Sequence, residues 1–486
     1  MLRLFIVLVA GCCLTCTAQA QEKPPEQVSL TLSPAAEPRP ALKYSLWRAP
    51  RERDAGNGAT FYYRAMIVAQ QSRDAVQKDF PPERLEKWLS MPLAELPQEE
   101  VAAYLARHAS VLEQLEKATS REDCHWDLRL DQLRGTEIVS FLLPDFQNMR
   151  ELARLVAYKA RYEISQRNYD DAIATLRMGY QMAHDAGEPP LLIGSLIGIA
   201  ISAQMNAVAL DLIDADDSPN IYWALKQLPH PLVDIRPALQ FELAMPFQMF
   251  PFLADAETAQ RTSQEWQRLT QETLTTLNSL ATDSIKLDDW QVRLGTTALM
   301  MKAYPSAKQQ LIDSGLSPEL VEKMPVAQVI AIQAARNYRY TYEEVFKWTL
   351  LPYPEGSSHL RQSIAQLKKD GYMGQPLSDK EVLPIATLLL PSIENVLLAS
   401  ARGERRLAAL ETIEAIRMHA AARKGELPSS LYELARAPSA KNPFTGETFD
   451  YRHEDARAVL QERAPGVETV RAYDRDYLIE LTKQVK

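Results

Sequence analysis

Cysteine is nearly missing from the working part of this chain. Cys12, Cys13 and Cys16 crowd the start, which leaves Cys124 alone among the four cysteines. One thiol cannot close an internal disulfide, so no covalent staple is expected. The Cys13-Leu14-Thr15-Cys16 match to a redox C-x-x-C is a false lead, because it sits inside a segment laid out as an export signal. Cys124 reads as a small buried apolar residue, with a reactive thiol as the alternative. Glycine is scarce at 17 residues, while Ala, Leu, Glu and Gln abound, so propensity favours helix. A basic surface is missing too. The net charge of −9 and the lack of any dense Lys/Arg block exclude the phosphate-neutralising face that a nucleic-acid binder needs.

Catalytic signatures are equally absent. There is no G-x-S-x-G elbow, S-x-x-K, H-E-x-x-H or P-loop. The seven histidines are scattered, with no pair at i, i+4 to chelate a metal from one helix face. Asp214-Ala215-Asp216-Asp217 begins like a calcium loop but lacks Gly at the sixth position and Glu at the twelfth, so a solvated acidic loop is expected. Asp123-Cys124-His125 is the one place where carboxylate, nucleophile and base adjoin. Neighbours in sequence seldom face each other, and the stretch reads as a plug in a helix connection. Arg236, Glu242, Tyr44 and Arg64 are candidates for lining a pocket, or equally for buried pairing. No catalytic, cofactor-binding or metal-ligating residue is assigned, and no cofactor is expected.

What is present starts with an address. Met1-Leu2-Arg3 gives a basic start, Leu4 to Ala10 an apolar core and Ala18-Gln19-Ala20 an A-x-A site. Together they form the layout of a secretory signal cleaved after Ala20. Val9-Ala10-Gly11-Cys12 fits a lipoprotein site, so a lipid anchor on Cys12 is the alternative. The expected location is periplasmic or extracellular, free or membrane-anchored.

The remainder divides by pattern. After the signal (1–20), residues 21–40 carry Pro24, Pro25, Pro34, Pro38 and Pro40 and read as a mobile linker. An N-terminal helical domain is expected over 41–254, with helices from about Thr60, over Pro97–Lys117, Pro144–Arg167, and Asn168 to about Asp185. Ala160, Tyr169, Ala172, Leu176 and Gly179 match the packing positions of a tetratricopeptide (TPR) hairpin, without a regular 34-residue period. Leu191–Leu210 carries no charge and holds Gly194-x-x-x-Gly198, yet Ser195, Ser202, Gln204 and Asn206 make it a buried helix of a soluble bundle rather than a membrane span. The acidic cluster after it opposes the helix dipole and predicts fraying.

A middle helical region is expected over 255–391, with amphipathic runs at Thr262–Thr282 and Gln328–Lys347. The last part, 392–486, reads as a long helix from Ser392 to Arg423, ended at Lys424-Gly425. Strand-like segments follow at Phe449–Arg452, Ala458–Gln461 and Tyr477–Leu481. The expected fold is mainly α, an irregular antiparallel helical array with a TPR-like hairpin. A small C-terminal α+β module completes it, with the long helix laid on a short antiparallel sheet.

Several blocks carry a resemblance. They are Pro40 to Tyr44 with Gly56-Asn57 and Tyr62-Tyr63-Arg64-Ala65; Asp123-Cys124-His125-Trp126; and Asn220 to Leu225 running through Pro229, Pro231, Asp234, Arg236-Pro237 and Glu242. Ile416-Arg417-Met418-His419-Ala420, Leu427-Pro428 with Leu431, and Asn442-Pro443-Phe444-Thr445-Gly446 complete the set. With these the chain resembles a family of uncharacterised exported, mostly helical bacterial proteins of planctomycete type. The resemblance implies a fold style and an extracytoplasmic home, and no activity. The spacing of Gly425, Pro428 and Leu431 is also similar to the helix-then-turn region of type II secretion pseudopilins. A pseudopilin carries that helix at its N-terminus with an apolar half, whereas here it starts near 392 and contains Glu394 and Arg402-Gly403-Glu404. The likeness therefore implies a structural module without the assembly function.

The expected function is a non-catalytic interaction or scaffold protein of the cell envelope, partnered by a protein or envelope component. The alternative is an extracytoplasmic, hydrolase-like enzyme whose site is assembled from distant residues.

Overall fold

The computed structural model describes residues 24–130, 132, 144–280, 289–374, 380, 381, 386, 387, 392–454, 456–464 and 473–482. The expected signal, with Cys12 and Ala20, lies outside the described residues. The fold is mainly helical with a small sheet that includes the C-terminal strands, as composition predicts. The chain forms two compact units. The larger holds the described residues of Ala20–Asp127, Leu143–Ile235 and Leu398–Lys486, and the smaller those of Leu128–Leu142 and Arg236–Leu397. The divisions expected at 254/255 and 391/392 are thus not those of the fold. The N-terminal helices and the C-terminal module share one unit.

The larger unit opens with a correction. The expected mobile linker, 21–40, carries strand β1 (Glu26–Leu32). Its alternation buries Leu30 and Leu32. The prolines stand at its flanks, where the missing N–H costs no ladder bond. A short parallel pair, β2 (Asp54–Asn57) and β3 (Arg121–Asp123), brackets four helices. These are α1 (Ala59–Asp79), α2 (Pro82–Ser90), α3 (Gln98–Arg107) and α4 (Ala109–Thr119). The single helix expected over Pro97–Lys117 is therefore two. The break falls at His108, whose ring Nδ1 lies 2.9 Å from the Tyr104 carbonyl. In an unbroken helix the residue 108 amide would bond that carbonyl; here the amide goes to Leu105 instead. A side chain has displaced the backbone from its own ladder.

Next come α5 (Pro144–Ser165), α6 (Tyr169–Gly187), α7 (Leu192–Asp214) and the short α8 (Tyr222–Lys226). The hairpin α5–α6 packs on α7. Close approach is written in glycine: a Cβ on Gly198 would stand 2.5 Å from the Ala183 carbonyl oxygen, and one on Gly179 would overlap Met205. By length and composition α7 could cross a membrane. Within the unit, Ser195, Ser202 and Asn206 are buried on it, and Tyr180 donates to the Asn206 side-chain oxygen at 2.8 Å. The expected fraying at its acidic end does not occur. Arg161 pairs with Asp211 at 3.2 Å, and Asp214 accepts the Thr31 N–H of β1 at 2.8 Å, so the charges have partners other than the helix dipole.

The smaller unit contains α9 (Arg236–Met249), α10 (Pro251–Ala254), α11 (Ser263–Leu280), α12 (Asp289–Asp313), α13 (Pro318–Lys323), α14 (Val326–Phe346) and α15 (Tyr353–Lys369). The amphipathic runs fall on α11 and α14 as expected. Thr262 and Glu265 exchange hydrogen bonds at the start of α11, a capping box that fixes where it begins. Buried Tyr338 of α14 donates to the Leu243 carbonyl of α9 at 2.8 Å.

Helix α16 (Ser392–Ala422) gives the larger unit its residues from Leu398 onward. It stops where Lys424 and Gly425 turn left-handed (φ 56° and 84°) and Gly425 N–H reaches back to the Ala420 carbonyl at 2.8 Å. Strands β4 (Asp450–Glu454), β5 (Arg457–Glu462) and β6 (Arg475–Leu481) follow, in the sheet order β1-β6-β5-β4. The expected antiparallel set is present, but β1 adds in parallel to β6, so the sheet is mixed. Tyr477 and Ile479 of β6 are fully buried.

Two polar networks tie α16 to its surroundings. Arg405 pairs with Glu462 (3.1 Å) and Asp474 (2.9 Å), while Tyr477 donates to Glu462 at 2.8 Å. Arg417 donates to the Ser33 carbonyl, to Glu414 and to Ser218, all between 2.8 and 3.0 Å. Glu414 in turn accepts from the Asn220 side chain at 2.6 Å and from Ile221 N–H at 3.2 Å.

Candidate ligand cavity

Three helical stripes of the larger unit converge on one cavity of about 170 Å³. From α1 come Met66, Arg73 and Val76, with Phe80 just beyond its end. Tyr104, His108 and Val111 recur at i, i+4 and i+7 across the α3–α4 break. Leu152, Leu155 and Tyr158 repeat along α5. The buried apolar members of each stripe lie on the inward face of a helix, while Arg73 is exposed.

Aromatic rings form the cavity's back wall. Phe80, Tyr104 and Tyr158 meet edge to face with centroids 5.2 and 5.7 Å apart, and Trp88 packs within 5.7 to 6.2 Å of all three. Edge-to-face contacts of this kind favour a single arrangement. The wall is therefore preformed.

Its polar atoms are the informative part. Tyr104 and Tyr158 are 7% and 3% exposed. Both residues line the cavity, and among the described residues neither phenol oxygen has a hydrogen-bond partner within the protein. Burial pushes the Tyr104 hydroxyl up to about 12, with Glu151 adding to the shift, and raises Tyr158 in the same way. His108 is lowered, chiefly by burial, so its ring is neutral at pH 7. A carbonyl only accepts, so Nδ1 carries the proton toward Tyr104 and Nε2 is left as an acceptor. The lining also includes Arg73, Arg154, Glu86 and Glu151, two charges of each sign. Arg154 pairs with Glu151 at 3.1 Å.

The residues singled out from sequence lie elsewhere. Cys124 is buried and its thiol is raised by that burial, while the neighbouring His125 side chain is exposed. The backbone of His125 is held by the Asn57 side chain at 2.7 and 2.9 Å. Trp126 stacks on Tyr62, and both reach Asp185: Trp126 Nε1 to its carbonyl at 2.8 Å and Tyr62 Oη to its carboxylate at 2.7 Å. Asp123, Cys124 and His125 thus form a plug rather than a triad. Asp216 and Asp217 pair with Arg167, and no metal-holding cluster occurs among the described residues. Tyr44 borders an open surface depression, Arg64 lies over the Phe61 ring, and Glu242 is buried on α9 beyond exposed Arg236.

A second convergence was not anticipated. His230 stands between Glu404 (3.4 Å) and Glu411 (3.6 Å), and Lys226 pairs with Glu411 at 2.5 Å. None of these four lines the aromatic cavity. Comparison of the chain with protein-family models, curated proteins and solved structures found no match.

The sequence signal for the cavity was the Tyr104–His108 pair inside an apolar face. A histidine there reads as a satisfied core residue until the helix break is seen.

Proposed function

We propose that this chain is an exported, non-catalytic helical binding protein of the cell envelope, released by cleavage after Ala20. The observation that carries the binding reading is the cavity: a preformed aromatic wall whose lining holds two phenol hydroxyls and an imidazole nitrogen with no partner among the described residues. A few polar groups left open in an otherwise aromatic pocket complement a ligand's groups. The one thiol beyond the signal is shielded from chemistry, which fits a role without covalent catalysis.

A protein partner is supported by α12. Trp290, Leu294 and Met301 share one face of that helix and are 63%, 64% and 75% exposed. Exposed apolar stripes of this kind mark interaction sites. The α5–α6 hairpin would serve as a TPR-like unit, in keeping with the resemblance to exported helical proteins.

The test has two arms. N-terminal sequencing should read from Gln21, and a start at lipidated Cys12 would overturn the released form. Crosslinking in the envelope should capture one partner with the wild type and lose it with Trp290→Ser/Leu294→Ser. Capture unchanged by that pair would remove the interaction role from α12.

The enzyme reading draws on the convergence of His230, Glu404, Glu411 and Lys226 from distant segments. Hydrolysis of ester or peptide probes that His230→Gln abolishes would establish it.

A further inference from the structure

We propose that the aromatic cavity binds a small neutral molecule of one ring bearing a single hydroxyl, a monocyclic phenol being the type. This rests on the binding reading above and adds the chemistry of what is bound. Four observations set that chemistry.

Size comes first. The cavity measures about 170 Å³, and a protein cavity of about 150 Å³ is already enough for benzene. One ring fits the enclosed part of the cavity. Shape comes next, since the edge-to-face wall of Phe80, Tyr104 and Tyr158 presents aromatic surface to a flat guest.

The head group follows from the lining atoms that have no protein partner among the described residues. Neutral His108 offers Nε2 as an acceptor only, so the guest must donate. The Tyr104 and Tyr158 hydroxyls both donate and accept, so the atom that donates to His108 should also accept. A hydroxyl does both and a carboxylate does not. Charge gives the last limit. Arg73 and Arg154 are balanced by Glu86 and Glu151, and Glu151 raises the Tyr104 hydroxyl. The field at the head group therefore does not favour an anion.

The test is calorimetric titration of the purified protein with p-cresol, toluene and 4-methylbenzoate. The cresol should bind one to one, about tenfold or more tighter than toluene, because a site built around a hydroxyl rejects the analogue lacking it. The benzoate should not saturate. Tyr104→Phe/Tyr158→Phe should keep the toluene affinity and narrow the cresol preference to about threefold or less. Val111→Phe should fill the cavity and block both neutral probes, its fold being checked by circular dichroism.

Equal affinities for cresol and toluene, preference for the benzoate, or no saturable cresol binding would each overturn the assignment. Should Val111→Phe fail to fold, the double phenylalanine variant still decides the matter. A partner captured through α12 without cresol binding would sink this inference alone, and cresol binding without a captured partner would sink the interaction role alone.

Discussion

Arg417 and Tyr158 are both buried side chains of the larger unit, at 0% and 3% exposure, and their polar atoms meet opposite fates. Every nitrogen of the Arg417 guanidinium reaches an acceptor, and its carboxylate neighbour Glu414 is itself bonded to Asn220 and Ile221. The Tyr158 hydroxyl, like that of Tyr104, has no partner among the described residues. A closed network holds segments together, whereas the open hydroxyls are what the proposed guest would complete. Asn220, Arg417, Asn57 and Trp126 all fall on the closed side, as fasteners between distant segments.

The largest expected effect breaks the closed side. Arg417→Met leaves Glu414 buried with its counter-charge gone, which should cost about 3–5 kcal/mol in urea unfolding. The Glu414 carboxyl is already raised by burial, so adding Glu414→Gln should recover part of the loss. A loss below about 1 kcal/mol would place the pair among weak surface-like bridges instead.

Gly198→Leu tests packing without polarity. Its Cβ would meet backbone, not a flexible side-chain tip, so α6 and α7 must separate. A destabilisation of about 1–3 kcal/mol is expected, seen as a lower melting temperature with unchanged helicity. Full tolerance would mean the crossing is looser than the 2.5 Å approach to Ala183 implies.

How much of this was legible beforehand follows from range. Helices α11, α14 and α16 and strands β4 to β6 were readable because periodicity, caps and turns are local. Strand β1 was not: five prolines in twenty residues outweighed the alternation of Val28, Leu30 and Leu32, and its partner β6 lies more than 440 residues away. The unit division was hidden for the same reason, since Arg417 reaches Ser33 across the chain. At the cavity, the helical spans were readable but not which faces they turn inward or that those faces converge. The His108 break depends on a ring bonding a carbonyl, which no propensity encodes.

Two tyrosines sharpen the comparison directly. Tyr180→Phe removes a hydroxyl that bonds Asn206 and should cost about 1–2 kcal/mol, because the amide oxygen is left buried and unpaired. Tyr158→Phe removes a hydroxyl with no partner and should be neutral or stabilise by up to about 1 kcal/mol. Matching losses in chemical denaturation would show that the Tyr158 hydroxyl is satisfied after all.

The smallest effect concerns His230, which stands between the two cases. Its ring is partly exposed and faces Glu404 and Glu411, and Lys226 pairs with the other oxygen of Glu411. The hydrogen bond to Glu404 raises it above 6.5, burial opposes, Glu411 adds to the rise, and Lys226 subtracts. The folded state thus holds this proton more tightly than the unfolded chain does. The resulting stability is fully present below the unfolded value and fades as pH rises through the folded one. His108, lowered by burial, works in the reverse sense, so the total pH profile would mask the effect. The difference between wild type and His230→Gln isolates it. Urea midpoints should separate the two proteins at about pH 5.5 and bring them together by about pH 8.5. A gap that stays constant, or widens toward alkaline pH, would show that the carboxylates do not hold His230 as a cation.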